Sequence, residues 1–336
     1  MRTASNVRSA RRDGSPFPVP DFLIPRMPDT FFTRPPHWQW LIILYFFIGG
    51  IAGGCFFLAA VLQLFGRPAD RPIMRLGYYL AFIGVVLSGI LLTVDLDRPE
   101  RFWHMMIQSE TGRPMFKYWS PMSVGVWGLL FFGLFSFLAA LGALFDSGRL
   151  RWGPAGRLAR EPLATIIAVA GGIGGFFLAG YTGVLLSVTN RPVWADSNWL
   201  GMLYLFSAAS SAAALLILLA RRRQPGDTAA ISALARFDDW VLILELIALI
   251  VFLISLGSAA QAFLSVWGVT LLLIVVAAGI LLPLLIGFGR LTRVRGRPLT
   301  LGTAAALVLL GGFALRVVTV MSSERVTVVG SKVVER

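Results

Sequence analysis

The sequence predicts an all-α integral membrane protein, with eight transmembrane helices in one bundle. Three observations predict it. The 336-residue chain is 57% hydrophobic, only 14% charged, and has a mean hydropathy of +0.76. Its apolar residues gather in runs of about 20 or more, long enough to cross a hydrocarbon core. Its arginines concentrate in the short links between those runs, so membrane topology accounts for much of the net charge of +13. A nucleic-acid surface would instead interleave those arginines with exposed aromatics on a soluble domain.

The predicted spans run in order over about 39–65, 73–94, 119–145, 162–188, 198–220, 240–260, 265–288 and 299–321. Residues 1–36 are polar and proline-rich and read as a tail; 37–321 form the transmembrane domain and 322–336 a C-terminal tail. Spans six and seven are divided only by the uncharged stretch Gly257 to Ser265, and Pro283 is placed to kink the seventh. Spans one and four carry matching glycine clusters, Gly49-Gly50-Ile51-Ala52-Gly53-Gly54 and Gly171-Gly172-Ile173-Gly174-Gly175. Small residues four apart predict close helix packing there.

Four links are arginine-rich: one–two, three–four, five–six and seven–eight. The positive-inside rule puts them in the cytoplasm and both termini outside, in a bacterial inner membrane. The basic residues of the N-terminal tail and of link two–three run against that orientation. In the second case the arginines stand among Asp95, Asp97, Glu100 and Glu110, so pairing within the link is expected.

That link is an island of charge between two membrane-length apolar runs: Asp95-Leu96-Asp97-Arg98-Pro99-Glu100-Arg101-Phe102-Trp103-His104. Ionisable groups beside a bilayer are costly unless they pair or do chemistry. A rise of about 1.5 Å per residue brings further polar groups to the same level. His37 opens the first span there, Tyr181 lies about 28 Å along the fourth and Arg316 about 26 Å along the eighth. Convergence of His37, Asp95, His104, Tyr181 and Arg316 suits an amphiphile with a polar head, such as a quinone, which needs hydrogen-bond donors and a proton acceptor. Each also has a plainer role: His37 and Tyr181 as interfacial anchors, His104 as a loop cap, Asp95 as a helix-end or salt-bridge residue, Arg316 snorkelling outward or neutralising the island. Glu245 lies about 9 Å beyond Asp239 and is expected in the opposite half of the membrane, as a rung of a proton path or a paired structural acid. With Cys55 as the single cysteine and two histidines, there is no iron–sulfur ligand set and no covalent haem motif, and no metal constellation is visible.

With these residues in view, the chain resembles the NrfD family, the integral membrane subunits of polysulfide reductase-like complexes. The resemblance rests on the glycine-rich first span, the Asp95 to Trp103 island, Ser120 to Trp127, Tyr181 to Ser187, Glu245-Leu246, and Gly311 to Arg316. It implies a bundle with no redox cofactor of its own that exchanges electrons with menaquinone or ubiquinone. It further implies a periplasmic ferredoxin-like iron–sulfur partner, with a molybdopterin catalytic subunit or the subunits of alternative complex III. A histidine at the start of the first span and a tyrosine in the fourth serve quinone in that family, and His37 and Tyr181 match by location. The resulting expectation is a quinone-binding anchor, inactive without partners. A secondary transporter and a purely structural anchor are the alternatives, and a convincing inverted repeat would favour the transporter.

Overall fold

The computed structural model describes residues 38–151, 153–223, 229–289 and 300–323, together with short strands at 293–294, 297–298, 326–329 and 332–335. Three helices come first: α1 (Trp40–Phe65), α2 (Arg71–Val94) and α3 (Pro121–Asp146). A six-residue α4 (Gly153–Leu158) leads into α5 (Leu163–Ser187), α6 (Leu200–Arg223) and α7 (Ala229–Ser255). The next crossing is composite. α8 (Val266–Thr270) passes through a π-helical stretch, Leu271–Leu281, into α9 (Leu282–Gly287). The last helix is α10 (Leu301–Ser322). Two small hairpins complete the described chain, one between α9 and α10 and one after α10.

Most predicted spans agree with these helices to within a few residues. The sixth does not. α7 begins at Ala229, eleven residues before the predicted start, and ends at Ser255. Hydropathy breaks the run at Asp238 and Asp239, yet Asp238 is buried and accepts a hydrogen bond from Ser210 Oγ on α6 at 2.5 Å. The helix therefore runs straight through its own acids. Beyond Ser255 the chain turns by 109° into a 3₁₀ segment, Gly257–Leu264. Gly257 holds φ +54°, a conformation open to glycine at little steric cost. Pro283 follows directly on the π-helical stretch of this continuous crossing, so the distortion lies immediately upstream of it as the wider winding.

α1 is the central post, packed against α2, α5, α6 and α10. Its crossing with α5 is set by the two glycine clusters: a methyl on Gly53 or on Gly175 would run into the other's backbone carbonyl. Among the described residues, seven helices are long and apolar enough to cross a bilayer, and an eighth if α7 and its bent continuation count as one. Their outward faces are studded with exposed Ile, Leu, Val and Phe, as lipid contact requires. This is a multi-pass membrane protein.

The two ends differ. At one, the island end, the indoles of Trp38 and Trp194 stack 5.5 Å apart, and Trp194 Nε1 donates to the Thr319 carbonyl at 2.7 Å. At the other, Arg75 holds Asp146 with Nε and Nη2, each 2.7 Å from Oδ2. Arg67 and Arg71 of link one–two lie at this second end beside Asp146.

Candidate functional site

The five described residues among the six singled out from sequence do not form one cluster. His37 lies outside the described residues. Asp95 and His104 belong to the ordered link between α2 and α3. Tyr181 lies on one side of α1, and Arg316 and Glu245 lie together on the other.

The link is built around a 3₁₀ helix, Pro99–Met105, and an antiparallel bridge between Ile107 and Pro114. Trp127 Nε1 donates to the Met115 carbonyl at 3.0 Å and ties the link to α3. Asp95 follows the last residue of α2 and is exposed. Partial burial, and then the neighbouring Asp97 carboxylate, push its pKa above the usual carboxylate range. The His104 ring lies stacked 3.8 Å from Trp103, with Nδ1 3.1 Å from the Arg101 carbonyl. The expected pairing within the island is absent: among the described residues none of its arginines lies within ion-pair distance of a carboxylate. The link is held by backbone bonds and aromatic contacts, which leaves its charges facing outward.

Beneath the link, Tyr181 on α5 is buried, stacked 5.2 Å from Phe177, and donates its hydroxyl proton to the Pro121 carbonyl at 2.5 Å. Gly125 makes room, because any Cβ there would overlap the phenol. Tyr45, on α1, is the electrostatic neighbour of Tyr181 and only 3% exposed. Among the described residues, nothing accepts from its hydroxyl. Two buried phenols thus lie near each other, one donating to Pro121 and one with no acceptor among the described residues. Sequence reading finds Tyr181 and misses Tyr45, although Tyr45 falls two turns inside the first span at a depth matching Tyr181.

Across α1, Arg316 is 0% exposed and therefore does not snorkel outward or reach the island. Its Nη1 donates to Ser207 Oγ at 2.6 Å and to the Gly312 carbonyl at 2.7 Å; its guanidinium lies 5.0 Å from the Tyr204 ring centroid and 5.8 Å from that of Phe47. Ser207 also lies beside the buried Glu245, whose carboxyl is an electrostatic neighbour of Arg316. Glu245 is therefore not in the half of the bundle opposite Arg316. Asp239 is a false origin for its depth; from the true helix start at Ala229 it lies about 24 Å along α7, within about 15 Å of the island end. Tyr204 and Thr319 extend the polar line toward that end through a short hydroxyl–hydroxyl bond, and Ser210 with Asp238 extends it the other way. Ser211 Oγ and Arg316 Nε are buried on this line without a partner among the described residues. The signal overlooked in the sequence is the hydroxyl stripe Tyr204, Ser207, Ser210 and Ser211 along one helix, at helical spacing.

The family profile described as polysulphide reductase, NrfD, matches residues 29–328. The chain belongs to this NrfD family. Among curated relatives, it is 28% identical over 185 residues to Protein NrfD of Escherichia coli strain K12, which covers 51% of this chain and 55% of that protein. A polysulfide reductase chain of Wolinella succinogenes is 28% identical over 185 residues, covering 51% and 54%. A selenate reductase subunit of Mesobacillus selenatarsenatis is 26% identical over 106 residues, covering 32% and 22%. The chain spans about half the length, or less, of the relatives it matches.

Proposed function

We propose that this chain is the quinone- and quinol-exchanging membrane subunit of a respiratory reductase complex, with its head-group cleft at the island end. The observation that carries the reading is the Tyr45–Tyr181 pair. A quinone carbonyl needs a donor, and Tyr45 has an uncommitted hydroxyl proton. A quinol hydroxyl needs an acceptor, and Tyr181, having donated to Pro121, presents oxygen lone pairs. The two phenols suit the two oxidation states of one head group.

In the oxidative direction, quinol gives up two electrons and two protons and becomes quinone. The protons go to Asp95 or His104 in the overlying link and then to water, with His37 a third acceptor from the family resemblance. A raised carboxyl such as Asp95 is better matched to accepting and releasing a proton than an ordinary one. The electrons go to an iron–sulfur cluster of an extrinsic partner docked on the island end, and a molybdopterin subunit completes the complex. The names of the relatives, a polysulfide reductase chain and a selenate reductase subunit, support membership of such an assembly. The reverse direction uses the same groups.

The line Glu245–Ser207–Arg316, continued by Tyr204 and Thr319 one way and by Ser210 and Asp238 the other, supports a second role in this reading: a proton path between the island end and the arginine-rich, cytoplasmic side. The test is reduction of the partner's cluster by added menaquinol or ubiquinol in the isolated complex. Tyr45→Phe and Tyr181→Phe should each slow it about tenfold while the complex stays assembled. Unchanged rates in both would sink the cleft assignment.

A further inference from the structure

At the end remote from the island, α1, α2, α3 and α5 leave a cavity of about 240 Å³. Its deeper wall is apolar, with Leu62, Met74, Ala143 and Ile167. Its base is polar: Tyr78 donates to Gln63 Oε1 at 2.6 Å and Gln63 Nε2 to the Ala164 carbonyl at 3.0 Å. Its rim carries Arg67, Arg71 and Glu161, whose carboxylate accepts from Thr165 Oγ1 at 2.5 Å. Asp146 also lines the cavity, but Arg75 has taken it with two short contacts. Arg71 therefore reaches Asp146 only at 3.9 Å and keeps 59% of its side chain exposed. Among the described residues Arg67 forms no ion pair. The flanking segments, 66–75 and 146–161, together hold seven arginines against the three acids Asp70, Asp146 and Glu161.

We infer that this cavity is a binding site for an anionic phosphodiester, and that its occupant is the headgroup of a membrane phospholipid. The chemistry is shared by any phosphate: one arginine without an ion pair among the described residues and a second held only at 3.9 Å, in links that carry more arginines than acids. The apolar wall favours the lipid, because it receives the first carbons beyond the phosphate, and a free ion has no use for it. The level in the bundle is that of headgroups, since α1 ends at Phe65 and α2 begins at Arg71. The site lies at the opposite end from the quinone cleft and stands or falls independently of it.

The experiment is native mass spectrometry on the full-length chain, delipidated in a zwitterionic detergent and then given phosphatidylglycerol, phosphatidylcholine or inorganic phosphate. Phosphatidylglycerol should bind at least about tenfold more tightly than phosphatidylcholine. The double variant Arg67→Ala/Arg71→Ala should lose that preference. Gly142→Leu, which fills the cavity without altering charge, should lose it too and guards against misfolding of the double variant. Arg236→Ala, an exposed arginine at the same end but outside the cavity, should keep it. A preference surviving in the double variant and in Gly142→Leu would overturn the site. Displacement of phosphatidylglycerol by millimolar inorganic phosphate would overturn the lipid as its occupant.

Discussion

Arg316 of α10 and Glu245 of α7 meet across a single hydroxyl, that of Ser207 on α6. Neither charge has water to turn to, so each is the condition for the other's burial. Removing one partner should hurt more than removing both. Glu245→Leu or Arg316→Met alone should each lower stability by about 3 kcal/mol or more, and the double variant should recover much of that loss. Thermal melts of the four proteins in one detergent provide the check; additive losses would mean the two charges do not couple.

Tyr181→Phe removes one hydrogen bond, to Pro121, and keeps the ring against Phe177. The structural loss should be about 1 kcal/mol. The functional loss should be larger and should be read as a raised KM for quinol. Tyr45→Phe removes no intramolecular bond among the described residues, so its melt should match wild type while its KM rises. A Tyr45→Phe protein with normal quinol kinetics would leave Tyr45 as packing only.

Asp95 yields a pH signature with a definite sign. Its pKa is raised in the fold, so the protonated form is the one the fold prefers. The associated stability is fully present below the ordinary carboxylate value, about pH 4, and is lost as pH rises through the raised one. Asp95→Asn mimics the protonated form. It should match wild type near pH 3 and melt higher than wild type at neutral pH, roughly on either side of the ordinary carboxylate range. A constant offset across that range would contradict the assignment.

Gly53 and Gly175 allow α1 and α5 to touch through their backbones. Gly53→Val should force the helices apart. The expected outcome is poor recovery of monodisperse protein by size-exclusion chromatography. A Cβ at Gly89 on α2 would meet nothing within 4 Å, so Gly89→Ala serves as the tolerated control.

The helices are legible because lipid imposes a simple rule: a crossing needs about 20 apolar residues, and links collect charge. That rule locates α1 to α3, α5, α6 and α10 from hydropathy alone. It misleads at α7, where Asp238 looks like a boundary but is buried against Ser210. The same slip moves Glu245 into the wrong half of the bundle. Tyr181 and Arg316 are legible by depth, since counting residues along a helix gives level. Counting does not give azimuth, which is why sequence does not foresee α1 as the wall between them. The hydroxyls of Ser207 and Thr319 carry no hydropathy signal strong enough to mark them, and they matter only through the partners the fold supplies.

The Trp38–Trp194 stack has a mechanical corollary. Trp194 is fastened by its indole nitrogen to the backbone of Thr319, and the hydroxyl of Thr319 is fastened to Tyr204. The segment entering α1, next to His37, is thus geared to the last helix, one turn beyond Arg316. A head group that levers Trp38 aside must either unstack the indoles or drag α10 with it, and in the second case the buried guanidinium shifts against Glu245. Events at the rim and at the core would then share one moving part.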